Sequence, residues 1–367
     1  MALYRKEGVY MRILFLAAAA IVTAMLPSSA IDGERTASAQ SDSFQPNADA
    51  GFQAFLYGLR PRAIAEGVRP ATLDAVLPTL TFNQRVIDLD RSQPGGPPTG
   101  PAAAVPNFAP YFAKHVDADR IARGRAKYQA LRPLLGRIEA QTGVPESIMI
   151  AIWGNETNYG SFTGDFDLLR SLASLAYEGR RRELFTEEFI ATLKLLDRGI
   201  PRERLKGSWA GATGYPQFLP SMYIRLGMDG DGDGKADIWT SQADALASIA
   251  NYFVNAGWKP NVPWGVTASV PAGFNRDAVK PLIVSPRCPR VHARHSRWLS
   301  VAEWRALGVI PTGAARISDN EQASLIEPDG PGATAYLLTT NYRSILDYNC
   351  SNFYALSVGL LANAVSR

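Results

Sequence analysis

Few of the groups that anchor metal or nucleophilic chemistry are present: the 367 residues include two cysteines and three histidines. Two cysteines, Cys288 and Cys350, exclude a disulfide-dense scaffold. In an oxidising compartment they read either as one bridge or as two buried thiols. The segment "CPRVHARH" sets Cys288 beside His292 and His295, but no fourth ligand is evident, so a zinc centre is not supported. The G-x-S-x-G turn of a serine hydrolase is absent. So is any Lys/Arg run interleaved with aromatics, which excludes the usual signature of a nucleic-acid partner. The net charge is +4, and residues 1–30 contribute Arg5, Lys6 and Arg12 against Glu7, leaving +2 without them. Beyond residue 30 no apolar run is long enough to span a bilayer.

What is present is a folded, exported chain. Hydrophobic residues make up 46% and charged residues 20%, ordinary for a globular protein and against wholesale disorder. The length predicts two or three subdomains. "MRILFLAAAAIVTAMLPSSA" has a basic start, a short apolar stretch and small residues, the pattern of a secretory signal over residues 1–30. Cleavage after Ala30 or as late as Ala39 is expected, with an uncleaved anchor as the alternative. No cysteine follows the apolar run, so a lipid-modified terminus is not expected. Residues 31–48 are small and polar and read as a disordered linker.

Helical spacing runs from Phe52 to Leu89 and again through "DADRIARGRAKYQALRPLLGRIEAQTG", separated by the Pro/Gly-rich "SQPGGPPTGPAAAVPNFAP". "VPESIMIAIWGNE" starts with Pro145, suited to a first helical turn, and is apolar around most of its circumference, so it predicts a buried helix. "LFTEEFIATLKLLDRG", "SQADALASIANYFVNAG" and the closing "NFYALSVGLLANAV" predict further helices. "WGVTASVP" and "KPLIVSP" predict short strands. The class is mainly α with a small β part.

Three stretches carry candidate chemistry. In "GNETNYGS", Glu156 is a lone carboxylate at the end of the apolar helix. Helix carbonyls and apolar walls from Trp153 and Tyr159 would raise its pKa toward the range of a general acid, whereas a solvated site would make it only a helix-end acid. "LKGSWAGATGYPQFLPSMY" mixes small residues with Ser208, Tyr215 and Gln217 as hydrogen-bonding groups and Trp209, Phe218 and Tyr223 as flat faces. That mixture suits either a polysaccharide groove or a tight packing loop. "DGDGDGKADIWT" places Asp229, Asp231 and Asp233 at loop positions one, three and five, Gly234 at six, the Lys235 carbonyl at seven and Asp237 at nine. This is EF-hand-like calcium spacing, with Thr240 where a bidentate Glu is usual, Asp244 as a substitute ligand, and a metal-free turn as the alternative.

The order of "ETNYG", "LKGSWAGATGYPQFLPS", the aspartate loop followed by "DALASIANYF", and "DYNCSNFYAL" resembles that of the lytic murein transglycosylase B family, soluble and membrane-bound (glycoside hydrolase family 103). "DRSQP", from Asp90, resembles its N-terminal region, and the likeness extends over roughly residues 50–365. The resemblance implies a lysozyme-like catalytic core with a flanking α domain and a small β domain. The divisions expected are an N-terminal α domain over 49–140 completed by C-terminal helices, a catalytic core over 141–260, a β-containing domain over 261–310, and a returning segment over 311–367. By that resemblance Glu156 falls on the catalytic acid. Ser208, Tyr215, Gln217, Asn251, Tyr252, Tyr348, Asn349 and Tyr354 fall on cleft positions. Asp229, Asp231, Asp233, Lys235 and Thr240 fall on a metal loop for Ca2+ or Na+, Thr240 standing where the family often has Asp.

The activity implied needs no cofactor for chemistry. It is cleavage of the β-1,4 bond between N-acetylmuramic acid and N-acetylglucosamine with closure of a 1,6-anhydro ring, Glu156 acting first as acid and then as base. The implied partners are peptidoglycan glycan strands and cell-wall remodelling complexes, the implied place the periplasm. A hydrolytic muramidase is the nearest alternative and would need a second carboxylate, for which Asp165 and Asp167 are nearest in sequence. A non-catalytic peptidoglycan-binding protein is the other.

Overall fold

A computed structural model describes residues 46–93 and 107–367, with side chains from residue 50 onward. The expected signal segment, most of the polar linker, and the centre of the Pro/Gly-rich connection lie outside the described residues. The last residues assigned to the linker, 46–48, instead open a helix, Pro46–Ala65, where proline at the first turn removes a donor that has no helical partner.

Helices dominate, and two helical cores lie side by side. One gathers Phe52, Leu56, Leu73, Leu77, Leu80 and Ile87 against Leu168–Glu178 and Arg182–Asp197. Its rim is tied by Asp90, buried between Arg180 and Arg181, and by the Arg69–Asp197 pair at 3.0 Å. The other surrounds Glu146–Thr157 with Ala118–Ala130, Arg132–Thr142, Gln242–Asn255, Thr340–Tyr348 and Asn352–Val365. The stretch expected as one N-terminal unit, 49–140, is therefore divided. Its first part packs on residues 168–209 rather than on the C-terminal helices, and only the part from Phe108 onward meets them. The intervening Pro/Gly-rich sequence is where helical periodicity stops.

A five-stranded antiparallel sheet forms the third layer, in the order Leu299–Ser300, Gln322–Ile326, Ala335–Leu338, Gly265–Ser269, Ile310–Thr312. Register pairs Val266 with Leu337 and Thr267 with Thr312. The inner face closes over Trp304, Val301, Val309 and Leu325. The β part thus runs on to Leu338, past the expected boundary at 310, because the two most buried strands come after it. "KPLIVSP" is not a strand: Leu282, Ile283 and Val284 are 81%, 84% and 80% exposed. Pro281 and Pro286 bracket it and withhold ladder donors. A disulfide joins Cys288 to Cys350, tying the segment after the exposed loop to the start of the last helix. His295 is buried nearby with Nε2 2.7 Å from Asn352 Oδ1, and burial pushes its pKa down to about 4. It bridges the sheet to the helical core as a neutral ring, with no metal-ligand group of Cys288, His292 and His295 among the described residues.

Candidate active site

The helix Glu146–Thr157 is apolar on all sides because it is surrounded on all sides: Ile148 to Gly154 are buried without exception. It stops where Asn158 and Tyr159 adopt left-handed conformations, φ 52° and 59°. Asn158 N–H then donates to Gly154 O at 3.1 Å and Tyr159 N–H to Trp153 O at 3.3 Å, a closure that satisfies the last carbonyls. The turn folds Tyr159 back on its own helix. A Cβ at Gly154 would stand 2.7 Å from that ring, so only glycine permits the return. Thr157 ties this end to the next loop, its hydroxyl donating to Tyr215 O at 3.2 Å.

Glu156 lies in that last turn, enclosed by protein yet retaining some exposure. Burial lifts its carboxyl to about 7, and a hydrogen bond from Tyr354 tempers the rise. The Tyr354 hydroxyl donates to Glu156 Oε1 in a short contact. Tyr354 is held by its place at the start of Asn352–Val365, where Ser351 Oγ accepts from its N–H at 3.3 Å. Tyr348, Tyr354 and Tyr111 all lie within electrostatic reach of the carboxylate, and burial together with that negative charge raises each phenol, Tyr111 to about 12. No carboxylate contributes to the shift of Glu156. Asp167, one of the two acids weighed as a partner, caps Leu168–Glu178 through Arg170 N–H at 2.9 Å and pairs with Arg202 at 2.9 Å.

Around this acid stands an aromatic wall. Tyr348 donates to Pro216 O at 2.6 Å and lies edge-on to Tyr252 with ring centres 4.6 Å apart. Phe218 meets both rings at 6.0 Å. Tyr215 tilts against Trp153 at 5.8 Å. Gln217, in the left-handed region at φ 51°, donates Nε2 to Thr163 O and Gly214 O, each at 3.0 Å. Asn349 is buried at the break between the last two helices. Two expected cleft residues have other engagements. Ser208 is buried and its hydroxyl accepts from Ala212 N–H at 3.0 Å, shaping the loop from within. Asn251 donates to Leu226 O at 3.0 Å and braces the short helix Pro220–Leu226, while its neighbour Tyr252, a hundred degrees around the helix, enters the wall. Tyr111, Asn155 and Ser357 were not foreseen. Ser357 Oγ lies 3.2 Å from Asn155 Oδ1 and hydrogen-bonds Tyr111. The signal available was the i+3 spacing of Ser357 from Tyr354 on one helix.

The aspartate loop draws together Asp229, Asp231 and Asp244, with ligand oxygens within 4.8 Å of one another. Asp229 accepts from Gly232 and Gly234 N–H at 2.6 and 2.8 Å, which holds its carboxyl below the usual range. Burial, with Asp231 and Asp229 adding to it, raises that of Asp244. Three acids that repel one another in this way form a donor set suited to a hard divalent cation. The set differs from the expected one. Asp233 turns to Lys235 N–H at 2.8 Å, and the Thr240 hydroxyl donates to Asp237 Oδ2 at 2.6 Å. Asp244, on the following helix and named above as a substitute, is the third acid of the group.

The transglycosylase SLT domain matches residues 51–363 of this sequence. The chain belongs to that family. Membrane-bound lytic murein transglycosylase B of Escherichia coli (strain K12) is 32% identical over 279 residues, 74% of this chain and 70% of the relative. SltB3 from Pseudomonas aeruginosa, solved in complex with NAG-NAM-pentapeptide, is 37% identical with a TM-score of 0.75, covering 86% of this chain and 79% of that one. SLT35 of Escherichia coli, solved in complex with calcium, is 28% identical with a TM-score of 0.67, covering 87% and 93%. The mainly helical class with a lysozyme-like core and small sheet is thus the SLT domain fold, and no helix among the described residues is long and apolar enough to cross a membrane.

Proposed function

We propose that this SLT domain protein is a lytic murein transglycosylase in which Glu156 is the single acid and base, acting on strands that bear peptide stems. The observation that carries the reading is one enclosed carboxyl, held near neutrality against Tyr354, with no carboxylate among the described residues perturbing it. At about 7 the group is protonated often enough to donate and ionised often enough to accept. Protonated Glu156 gives its proton to the glycosidic oxygen of the departing N-acetylglucosamine as the C1–O4 bond breaks. The carbonyl oxygen of the muramic N-acetyl group bonds to C1 in its place, so the substrate supplies what a second carboxylate would otherwise supply. Ionised Glu156 then takes the proton of the 6-hydroxyl, O6 displaces the acetamido oxygen at C1, and the 1,6-anhydro ring closes. No water is consumed. Tyr354 steadies the ionised form between the two steps, and the partly exposed rings of Tyr215 and Tyr348, backed by the buried Phe218 and Tyr252, offer faces for sugar rings.

The N-terminal segment supports export and action in the periplasm. Asp229, Asp231 and Asp244 would hold Ca2+, which would supply no chemistry there but would cancel their repulsion and pin the loop to the helix Gln242–Asn255. Digestion of purified sacculi followed by mass spectrometry of the products tests the activity. Anhydro-ended muropeptides, one water lighter than hydrolytic products, are expected, and Glu156→Gln should release none. Reducing ends would mark a hydrolase, and no release by the wild-type protein a binding module.

A further inference from the structure

Leu282, Ile283 and Val284 are the most exposed large apolar side chains among the described residues; the next, Phe162, is 59% exposed. A single exposed apolar residue is ordinary, but contiguous ones mark a site of interaction. Both ends of the run are tied down. On one side Val279 is buried in the core under the sheet, and its carbonyl accepts from Arg297 N–H at 2.7 Å. On the other, Ser285 Oγ donates to Arg287 O at 2.6 Å, Arg287 pairs with Asp347 at 3.1 Å, and the Cys288–Cys350 disulfide closes the base. Pro281 and Pro286 restrict the backbone between these anchors. The apolar side chains are thus presented to solvent on a pre-ordered loop, which lowers the cost of engaging a partner.

The charge around the run points to the kind of partner. Between Arg276 and Arg297 the chain sets six cations, Arg276, Lys280, Arg287, Arg290, Arg294 and Arg297, against one acid, Asp277. That local excess of +5 stands in a chain whose whole net charge is +4. Arg276 and Arg287 are taken up by Glu327 and Asp347. Lys280 and Arg290, on either side of the run, are exposed, and the contact of Lys280 with Asp277 joins two exposed groups, so it holds the ammonium only weakly. Arg343 is exposed too and, with Arg287, lies within electrostatic reach of His292, which puts a third cation by the base of the loop. An apolar tip set between cations matches the interface of an anionic bilayer, where side chains enter the boundary of headgroups and acyl chains and cations stay among the phosphates. It matches a protein partner less well, because three side chains supply a fraction of the roughly 800 Å2 a side of a stable protein interface. We propose that the 280–290 loop docks the protein reversibly on a membrane surface bearing anionic lipids. Leu282, Ile283 and Val284 enter the bilayer interface, and Lys280, Arg290 and Arg343 face its headgroups. The base of the loop is joined through Asp347 and Cys350 to the segment carrying Tyr348 and Asn349, so docking holds that side of the cleft close to the membrane. The attachment does not depend on the cleavage reading.

The test is co-sedimentation of the processed protein, its N-terminus fixed by mass spectrometry, with two kinds of vesicle, no murein being present. One is phosphatidylcholine alone, the other equal parts phosphatidylcholine and phosphatidylglycerol. Wild type should partition more strongly onto the anionic vesicles, and added salt should weaken the binding. Ile283→Asp should lower the partition coefficient roughly tenfold or more, since one apolar contact is lost and a charge is placed at the interface. Ile283→Leu should keep it, and Val284→Asp should repeat the loss at a second position. Lys280→Gln and Arg290→Gln should each lower it about fivefold, on the anionic vesicles only. These side chains are exposed, so the melting temperatures of all variants should match that of wild type. Failure of wild type to bind either vesicle, equal binding to both, or wild-type partitioning by Ile283→Asp and Val284→Asp overturns the proposal.

Discussion

Tyr354→Phe removes one hydroxyl and leaves the ring in place. Tyr354 is 3% exposed, so the change strips Glu156 Oε1 of its donor without opening the site. That hydrogen bond lowers the carboxyl's pKa against the burial that raises it, the balance standing at about 7. A bond to a charged acceptor stabilises it by about 1.5–3 kcal/mol, and each pKa unit corresponds to about 1.4 kcal/mol. The variant's carboxyl should therefore move up by about one to two units. The alkaline limb of kcat/KM against pH reports the acid in the free enzyme, because activity is lost as Glu156 gives up its proton before substrate binds. The limb should sit near pH 7 in wild type and move to higher pH in Tyr354→Phe. Soluble murein oligomers scored for anhydro ends across pH 5 to about 10 would give the profile. A limb that stays where it was, or moves to lower pH, refutes the assignment of Tyr354 as the donor that holds the ionised form.

Glu156 also makes stability depend on pH. Its folded value of about 7 exceeds the ordinary 4.5, so stability is fullest below the unfolded value and falls by ~3 kcal/mol as pH rises from one to the other. Glu156→Gln should remove that slope and be more stable than wild type in urea at pH 8 but not at pH 4; parallel slopes would contradict the burial account. Ca2+ should raise the melting temperature of wild type and leave that of Asp231→Asn unchanged, and EDTA should reverse the gain; equal responses would remove the acidic triad from the account. Reducing the disulfide, which closes a loop of 62 residues, should destabilise by about 4 kcal/mol in urea unfolding. Gly359→Ala places a Cβ 2.4 Å from the Trp264 ring and should cost about 1–3 kcal/mol by overpacking the last helix against the sheet; a neutral result would show that the indole can shift.

Much of the site was legible because its parts are short and local. "VPESIMIAIWGNE" announces a buried helix by its unbroken apolar circumference, and a lone acid at its end stands out against that background. The aspartate loop is legible for the same reason, since Asp229 and Asp231 stand two residues apart in one short Gly-rich stretch. What escaped the sequence depends on distance. Asp244 is named from the sequence as a substitute, but that it joins Asp229 and Asp231 while Asp233 turns away depends on the helix Gln242–Asn255 starting beside the loop. Tyr111 reaches the site from the short helix Phe108–His115, well before Glu156 in the sequence. Arg120 reads as one more surface cation until the fold shows its Nε and Nη1 buried with no hydrogen-bond partner among the described residues. The exposed 282–284 run shows the opposite failure: its apolar, partly β-branched composition favours a strand, but it pairs with no strand among the described residues, and local preference without a partner makes no sheet.

The backbone around Glu156 bears on how one carboxyl can serve both steps. Five described residues other than glycine have positive φ, and three of them, Asn158, Tyr159 and Gln217, stand at this site. Such conformations cost about 1 kcal/mol or more each and persist only where surrounding structure enforces them. Here the helix closure, the return of Tyr159 onto Gly154, and the two hydrogen bonds of Gln217 do so. The first two end the helix at Thr157, with Glu156 in its last turn hydrogen-bonded to Tyr354, and the third fixes the neighbouring loop. An acid left at 4.5 would ionise before it could donate, and one raised far above neutrality would remain protonated when a base is required. Burial alone pushes toward the second failure, and the Tyr354 hydroxyl alone toward the first. Glu156 stands between them because the left-handed turn and the last helix place both influences on the same carboxyl.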